Sequence, residues 1–204
     1  MNMLKKSLAL AVLALGVGVA QASPLASGKI ISGTTFGTDD AFQFFNDSTA
    51  GERIVSLTWN LTPINAFFDT TSDAPGFSPS PLTLGPSSPV GATFPSNASV
   101  NGTSVLTITF ADFDPGEVFR FGVDTDFFTN IDGFGLTGDQ FVGATATAVF
   151  SDGNARTGTY VLTSEPGFGS RVDISIPTSV PEPATLAIFG LGLAGLGFLR
   201  RRKA

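Results

Sequence analysis

Along much of the middle of the chain, apolar side chains recur at every second position. Val55, Leu57, Trp59 and Leu61 alternate with Ser56, Thr58, Asn60 and Thr62. Leu106, Ile108 and Phe110 alternate with Thr107 and Thr109, and Phe119, Phe121 and Val123 with Arg120, Gly122 and Asp124. Val142, Ala144, Ala146, Ala148 and Phe150 form a further series, and residues 159–162 and 172–176 read as two more strands. A strand turns successive side chains to opposite faces, so this period predicts strands with one buried and one wet face. Short strands separated by Gly, Asp, Asn and Pro predict an all-β fold, an antiparallel β-sandwich. Whether it is jelly-roll-like or immunoglobulin-like stays open at this level.

The same period makes finer expectations. Trp59 falls in register with Val55, Leu57 and Leu61, which places it in the core. The pairs Phe44-Phe45, Phe67-Phe68 and Phe127-Phe128 put adjacent rings on opposite faces, so some of these rings are expected to be exposed. Phe110 and Phe119 are expected to end one strand and begin the next, with residues 112–117 as the hairpin loop between them. Between residues 71 and 101, Pro75, Pro79, Pro81, Pro86, Pro89 and Pro95 exclude most central strands. That stretch is expected to be surface loop, or edge segments near 82–84 and 92–94.

The N-terminus reads as a processing segment. Lys5 and Lys6 precede an apolar run from 8 to 19, and Ala20-Gln21-Ala22 offers the small-x-small pattern that signal peptidase accepts. Residues 1–22 are therefore expected to be a signal peptide, and the remainder to be exported. The body, 23–179, carries five basic against sixteen acidic side chains. So acidic a surface repels phosphate backbones and argues against nucleic-acid partners. The chain has no Cys and no His. An exported domain without disulfides must hold together by packing, and thiol nucleophiles, Ser-His-Asp triads and His-ligated zinc are excluded.

At the other end, Pro181-Glu182-Pro183 leads into an apolar stretch from 184 to 199, expected to be a transmembrane helix. Arg200, Arg201, Arg202 and Lys203 follow. A basic cluster stays on the cytoplasmic side, which leaves the body outside. Motif, apolar segment and basic cluster in this order resemble the PEP-CTERM sorting signal, here over residues 180–204. The resemblance implies that Pro181, Glu182 and Pro183 are recognised by exosortase, a membrane-embedded, cysteine-dependent processing enzyme. It implies an inner-membrane-anchored precursor in a Gram-negative bacterium, then release to the cell surface or to an exopolysaccharide-rich, biofilm-type matrix. Within the apolar stretch, residues 190–195 match G-x-G-x-x-G, but no βαβ unit surrounds them and no dinucleotide site is expected.

The body's own chemistry rests on its carboxylates. Asp112, Asp114 and Glu117, then Asp124 and Asp126, place oxygens at alternating positions in what read as loops, which suits Ca²⁺. Asp in turns and an acidic, soluble surface explain the same residues without a metal. No other cofactor is implied. Catalysis is not expected, since nothing beyond accidental carboxylate pairs suggests it. The expected role is structural, on the surface or in the matrix; the alternative is a calcium-assisted glycan-binding or adhesion module on the same sorting signal.

Overall fold

A computed structural model describes residues 24–73, 75, 78–130 and 135–175. In chain order its strands are β1 (Pro24–Ile31), β2 (Phe42–Asn46), β3 (Ile54–Asn60), β4 (Ala66–Asp69), β5 (Thr83–Leu84), β6 (Ala92–Thr93) and β7 (Val105–Phe113). Then follow β8 (Val118–Gly122), β9 (Asp124–Phe127), β10 (Thr145–Phe150), β11 (Ala155–Thr159), β12 (Val161–Leu162) and β13 (Phe168–Ser175). They pair antiparallel in a six-stranded sheet, β12-β13-β1-β2-β8-β5, and a five-stranded sheet, β11-β10-β3-β7-β6. A two-stranded ribbon, β4-β9, stands apart from both.

The sheets face each other across aromatic side chains. Trp59 of β3 meets Phe42, Phe44 and Phe121 of the other sheet edge-on, with ring centroids 6.4, 5.8 and 4.9 Å away. Phe110 of β7 meets Phe119 of β8 at 4.8 Å. Such edge-to-face contacts add to the burial of large apolar surfaces, and they supply cohesion in a chain that has no Cys. Trp59 also donates its ring N–H to the buried Tyr160 hydroxyl at 3.0 Å. Trp59 is therefore core, as its register predicts.

Several finer expectations shift. Val55 is exposed because a bulge near the start of β3 lets Ile54, not Val55, share the buried face with Leu57. Val142 is exposed because it caps the short 3-10 turn Gly138–Phe141 instead of starting β10. Residues 112–117 are not a hairpin loop. β7 runs on to a buried Phe113, and β7 and β8 belong to different sheets, so the connection crosses the sandwich. Residues 71–101 supply the two edge pieces expected, β5 on one sheet and β6 on the other, with a four-residue helix after them.

The expected signal peptide, transmembrane helix and basic cluster lie outside the described residues. Among the described residues no helix is long and apolar enough to cross a membrane.

Candidate functional site: a buried carboxylate cluster

After Gly122 the chain leaves the six-stranded sheet, and β9 pairs with β4 in the register Ala66↔Phe127, Phe67↔Asp126, Phe68↔Thr125 and Asp69↔Asp124. Directly opposed residues share a face, and so do alternate ones along a strand. Ala66, Phe68, Thr125 and Phe127 therefore form one face of the ribbon. Ala66 and Phe68 join the core from it, and Thr125 hydrogen-bonds the buried Thr35 hydroxyl at 2.8 Å. Phe67, Asp69, Asp124 and Asp126 form the opposite face. That face is also buried, with Asp69, Asp124 and Asp126 between 0 and 1% exposed. Phe67 is covered by Phe128 at 4.8 Å, so both rings of the Phe67-Phe68 pair are hidden and the exposed ring is Phe128.

One oxygen from each of the three carboxylates lies within 4.8 Å of the other two. The Asp124 backbone N–H is held by the Ser80 carbonyl at 3.1 Å, and Asp124 Oδ1 accepts from the Thr125 N–H at 2.8 Å. Asp124 Oδ2 is buried without a hydrogen-bond partner. Burial pushes the Asp124 carboxyl up to about 7, helped by the negative charge of Asp126 and, more weakly, of Asp69; the Thr125 N–H opposes the shift.

Gly135 closes over this group. It has φ +67°, and a Cβ there would fall 2.7 Å from Phe36 N and 2.8 Å from both Asp124 Oδ1 and Thr34 Oγ1. Asp124 Oδ1 and Thr34 Oγ1 thus both border the space a Cβ would take, and only glycine lets the backbone approach so near.

The five candidate calcium ligands separate into two groups. Asp124 and Asp126 come together, joined by Asp69. Asp112, Asp114 and Glu117 lie beyond the other end of β8, a strand of five residues that spans roughly 17 Å. There Asp112 and Asp114 face Arg53 at 3.6 and 4.0 Å, and Glu117 accepts the Asp114 N–H at 2.7 Å, closing the turn. These acids are solvated and already engaged, in keeping with the turn-forming explanation. Asp69 was not singled out from sequence, although an acid ending the apolar run Ala66-Phe67-Phe68 is a signal that a buried strand carries a charge.

No curated protein and no solved structure matches the chain. Residues 179–203 match the family model described as a PEP-CTERM protein-sorting motif, and with it the chain carries the address of an exported protein targeted by exosortase.

Proposed function

We propose that the sandwich is a non-enzymatic structural protein of the cell surface or extracellular matrix, delivered through an inner-membrane-anchored precursor. The supporting observation is where the fold stops relative to the address. The last strand ends at Ser175, paired with Pro24 of the first, and the matched motif begins at residue 179. Loss of a signal peptide after Ala22 and of the motif would remove no strand from either sheet. The body is built to survive trimming at both ends.

The test is intact mass and fractionation of the protein from its native host, beside an exosortase-deficient strain. The expected result is a trimmed body in the surface or matrix fraction of the competent strain only. A body that keeps its tail in the membrane fraction of both strains sinks the reading. Glu182→Ala should reproduce the deficient strain. Turnover of the host's matrix polysaccharide by the purified protein would overturn the non-enzymatic part.

Glycan binding is the second reading, favoured by a groove of about 410 Å³ on the outer face of β1 and β13, lined by Ser27, Lys29, Asp47, Glu165, Arg171 and Asp173. Lys29 lies 5.4 Å from the Phe45 ring and 5.2 Å from the Phe168 ring, giving polar groups beside aromatic surface. Against it, the groove's polar groups already satisfy one another: Lys29 with Glu165 at 2.6 Å, Arg171 with Asp173 at 2.5 Å, and Ser27 with Asp47 at 2.6 Å. Saturable binding of the host's exopolysaccharide, lost in Phe45→Ala and Phe168→Ala, would establish this reading. The groove shares no residue with the carboxylate cluster, so calcium there would assist a glycan only by stiffening the fold.

A further inference from the structure

The structure assigns a Ca²⁺ site to Asp69, Asp124 and Asp126, a structural clamp on the β4–β9 ribbon that goes beyond the sorting and matrix reading and does not depend on it. Three observations converge. The first is geometric: one oxygen from each carboxylate lies within 4.8 Å of the other two, a spacing that could hold one ion and that closes to Ca²⁺ bonds of about 2.3–2.6 Å with shifts of a few tenths of an ångström. The second is the Asp124 Oδ2 atom, which is fully buried and has no hydrogen-bond partner. A buried carboxylate oxygen in that state costs stability unless a cation or a proton meets it. The third is the sign of the local field, since the charges acting on Asp124 are those of Asp126 and Asp69, both negative.

The chemistry selects the ion. The donors are all hard oxygens, and the chain offers no His or Cys to a softer metal. The three carboxylates bring one oxygen each to the cluster, and their second oxygens or water would complete the shell. Mg²⁺ prefers one or two carboxylates and keeps its waters, so a three-carboxylate cage fits Ca²⁺ better. The bound ion would tie β4 to β9 at the end of the ribbon where Asp69 faces Asp124. It would also give an exported domain a cross-link that needs no cysteine.

The full chain, purified and stripped with EDTA, tests this by calcium calorimetry and by melts followed through Trp59 fluorescence. One Ca²⁺ per chain is expected, with Kd of about 10⁻⁴–10⁻³ M or tighter, as in extracellular modules. At about 10 mM Ca²⁺ the melting temperature should rise by about 4–8 °C. Asp124→Asn should abolish the rise, read against that variant's own melt in EDTA. Asp114→Asn, in the exposed turn, should keep the full rise. No calcium binding up to about 10 mM, an equal response to Mg²⁺, or a response lost in Asp114→Asn and kept in Asp124→Asn would each overturn the assignment. Should Asp124→Asn fail to fold, Asp126→Asn decides, and undiminished calcium affinity in that variant overturns it.

Discussion

Asp112, Asp114 and Glu117 sit at one end of β8, and Asp124 and Asp126 just beyond the other, yet the two groups live under opposite physics. At the first end the side chains of Asp112 and Asp114 are 65 and 53% exposed and face Arg53, while Glu117 accepts the Asp114 N–H across the turn at Gly116. At the second, Asp124 and Asp126 turn inward with Asp69, and burial with like charge drives Asp124 toward its neutral form. The difference comes from what each strand pairs with. In the first group Asp112 lies at the end of β7, a strand already placed in a sheet, and Asp114 and Glu117 fall in the crossing between sheets. The second group is on a strand that pairs with β4, whose Asp69 supplies a third carboxylate. Identical side chains thus serve solubility in one place and carry a stored electrostatic cost in the other.

The sharpest way to break that comparison uses one glycine from each region. Gly135→Ala combines φ +67° with a Cβ 2.7 Å from Phe36 N and 2.8 Å from Asp124 Oδ1. The left-handed backbone and the overpacking together should cost about 3–4 kcal/mol. Gly116→Ala, at φ +85° with nothing within 4 Å, carries only the backbone term, about 1 kcal/mol. Denaturant unfolding followed by Trp59 fluorescence measures both. Equal costs would mean that the surroundings of Asp124 are as loose as the exposed turn.

A smaller effect sharpens the contrast by adding a buried acid that does have its partner. Tyr160 is wholly buried, and burial pushes its hydroxyl well above the usual tyrosine range, against a weaker lowering by the Trp59 hydrogen bond. Because the folded value lies above the unfolded one, the neutral form is favoured by folding. The resulting stability is complete below about pH 10 and is lost as pH rises beyond it. As the chain's one tyrosine, Tyr160 should show phenolate absorbance only together with unfolding. Absorbance that develops near pH 10 while Trp59 still reports a folded core would contradict the burial. Tyr160→Phe should cost about 1–2 kcal/mol by leaving the Trp59 N–H without its acceptor.

Much of the sandwich was legible because its strands obey the rule that makes period two visible: one face dry, the other wet. Leu106, Ile108, Phe110, Phe119, Phe121, Ala146, Ala148, Val172 and Ile174 are all buried as their alternation predicts. The rule misplaces Val55 and Val142 where a bulge and a 3-10 turn break the period. It fails most at the ribbon, whose two faces are both buried, so Asp124-Thr125-Asp126 reads as loop by polarity although each residue is enclosed. Two of the three clustered carboxylates could be read from the sequence and the third could not. Asp124 and Asp126 announce themselves as an alternating pair, but Asp69 joins them only through strand pairing across more than fifty intervening residues, which no local spacing encodes.

The smallest expected effect lies at the exposed turn, and it tests whether that turn is as ordinary as the comparison requires. Arg53 lies 3.6 Å from Asp112 and 4.0 Å from Asp114, and each of these side chains is about half exposed or more. Water and salt screen such pairs, so Asp112→Asn, Asp114→Asn and Arg53→Ala should each change stability by about 0.5 kcal/mol or less. The Arg53 backbone is held independently, donating to Ser151 Oγ at 3.0 Å and accepting the Ser151 N–H at 2.8 Å. Losing the guanidinium therefore leaves the strand in place. Denaturant midpoints at low and high salt would measure the residue of the interaction. A loss above about 1 kcal/mol that persists in salt would mean that Arg53 and the two acids act as one rigid network. The turn would then be a second structural device, and the contrast with the buried ribbon would narrow to burial alone.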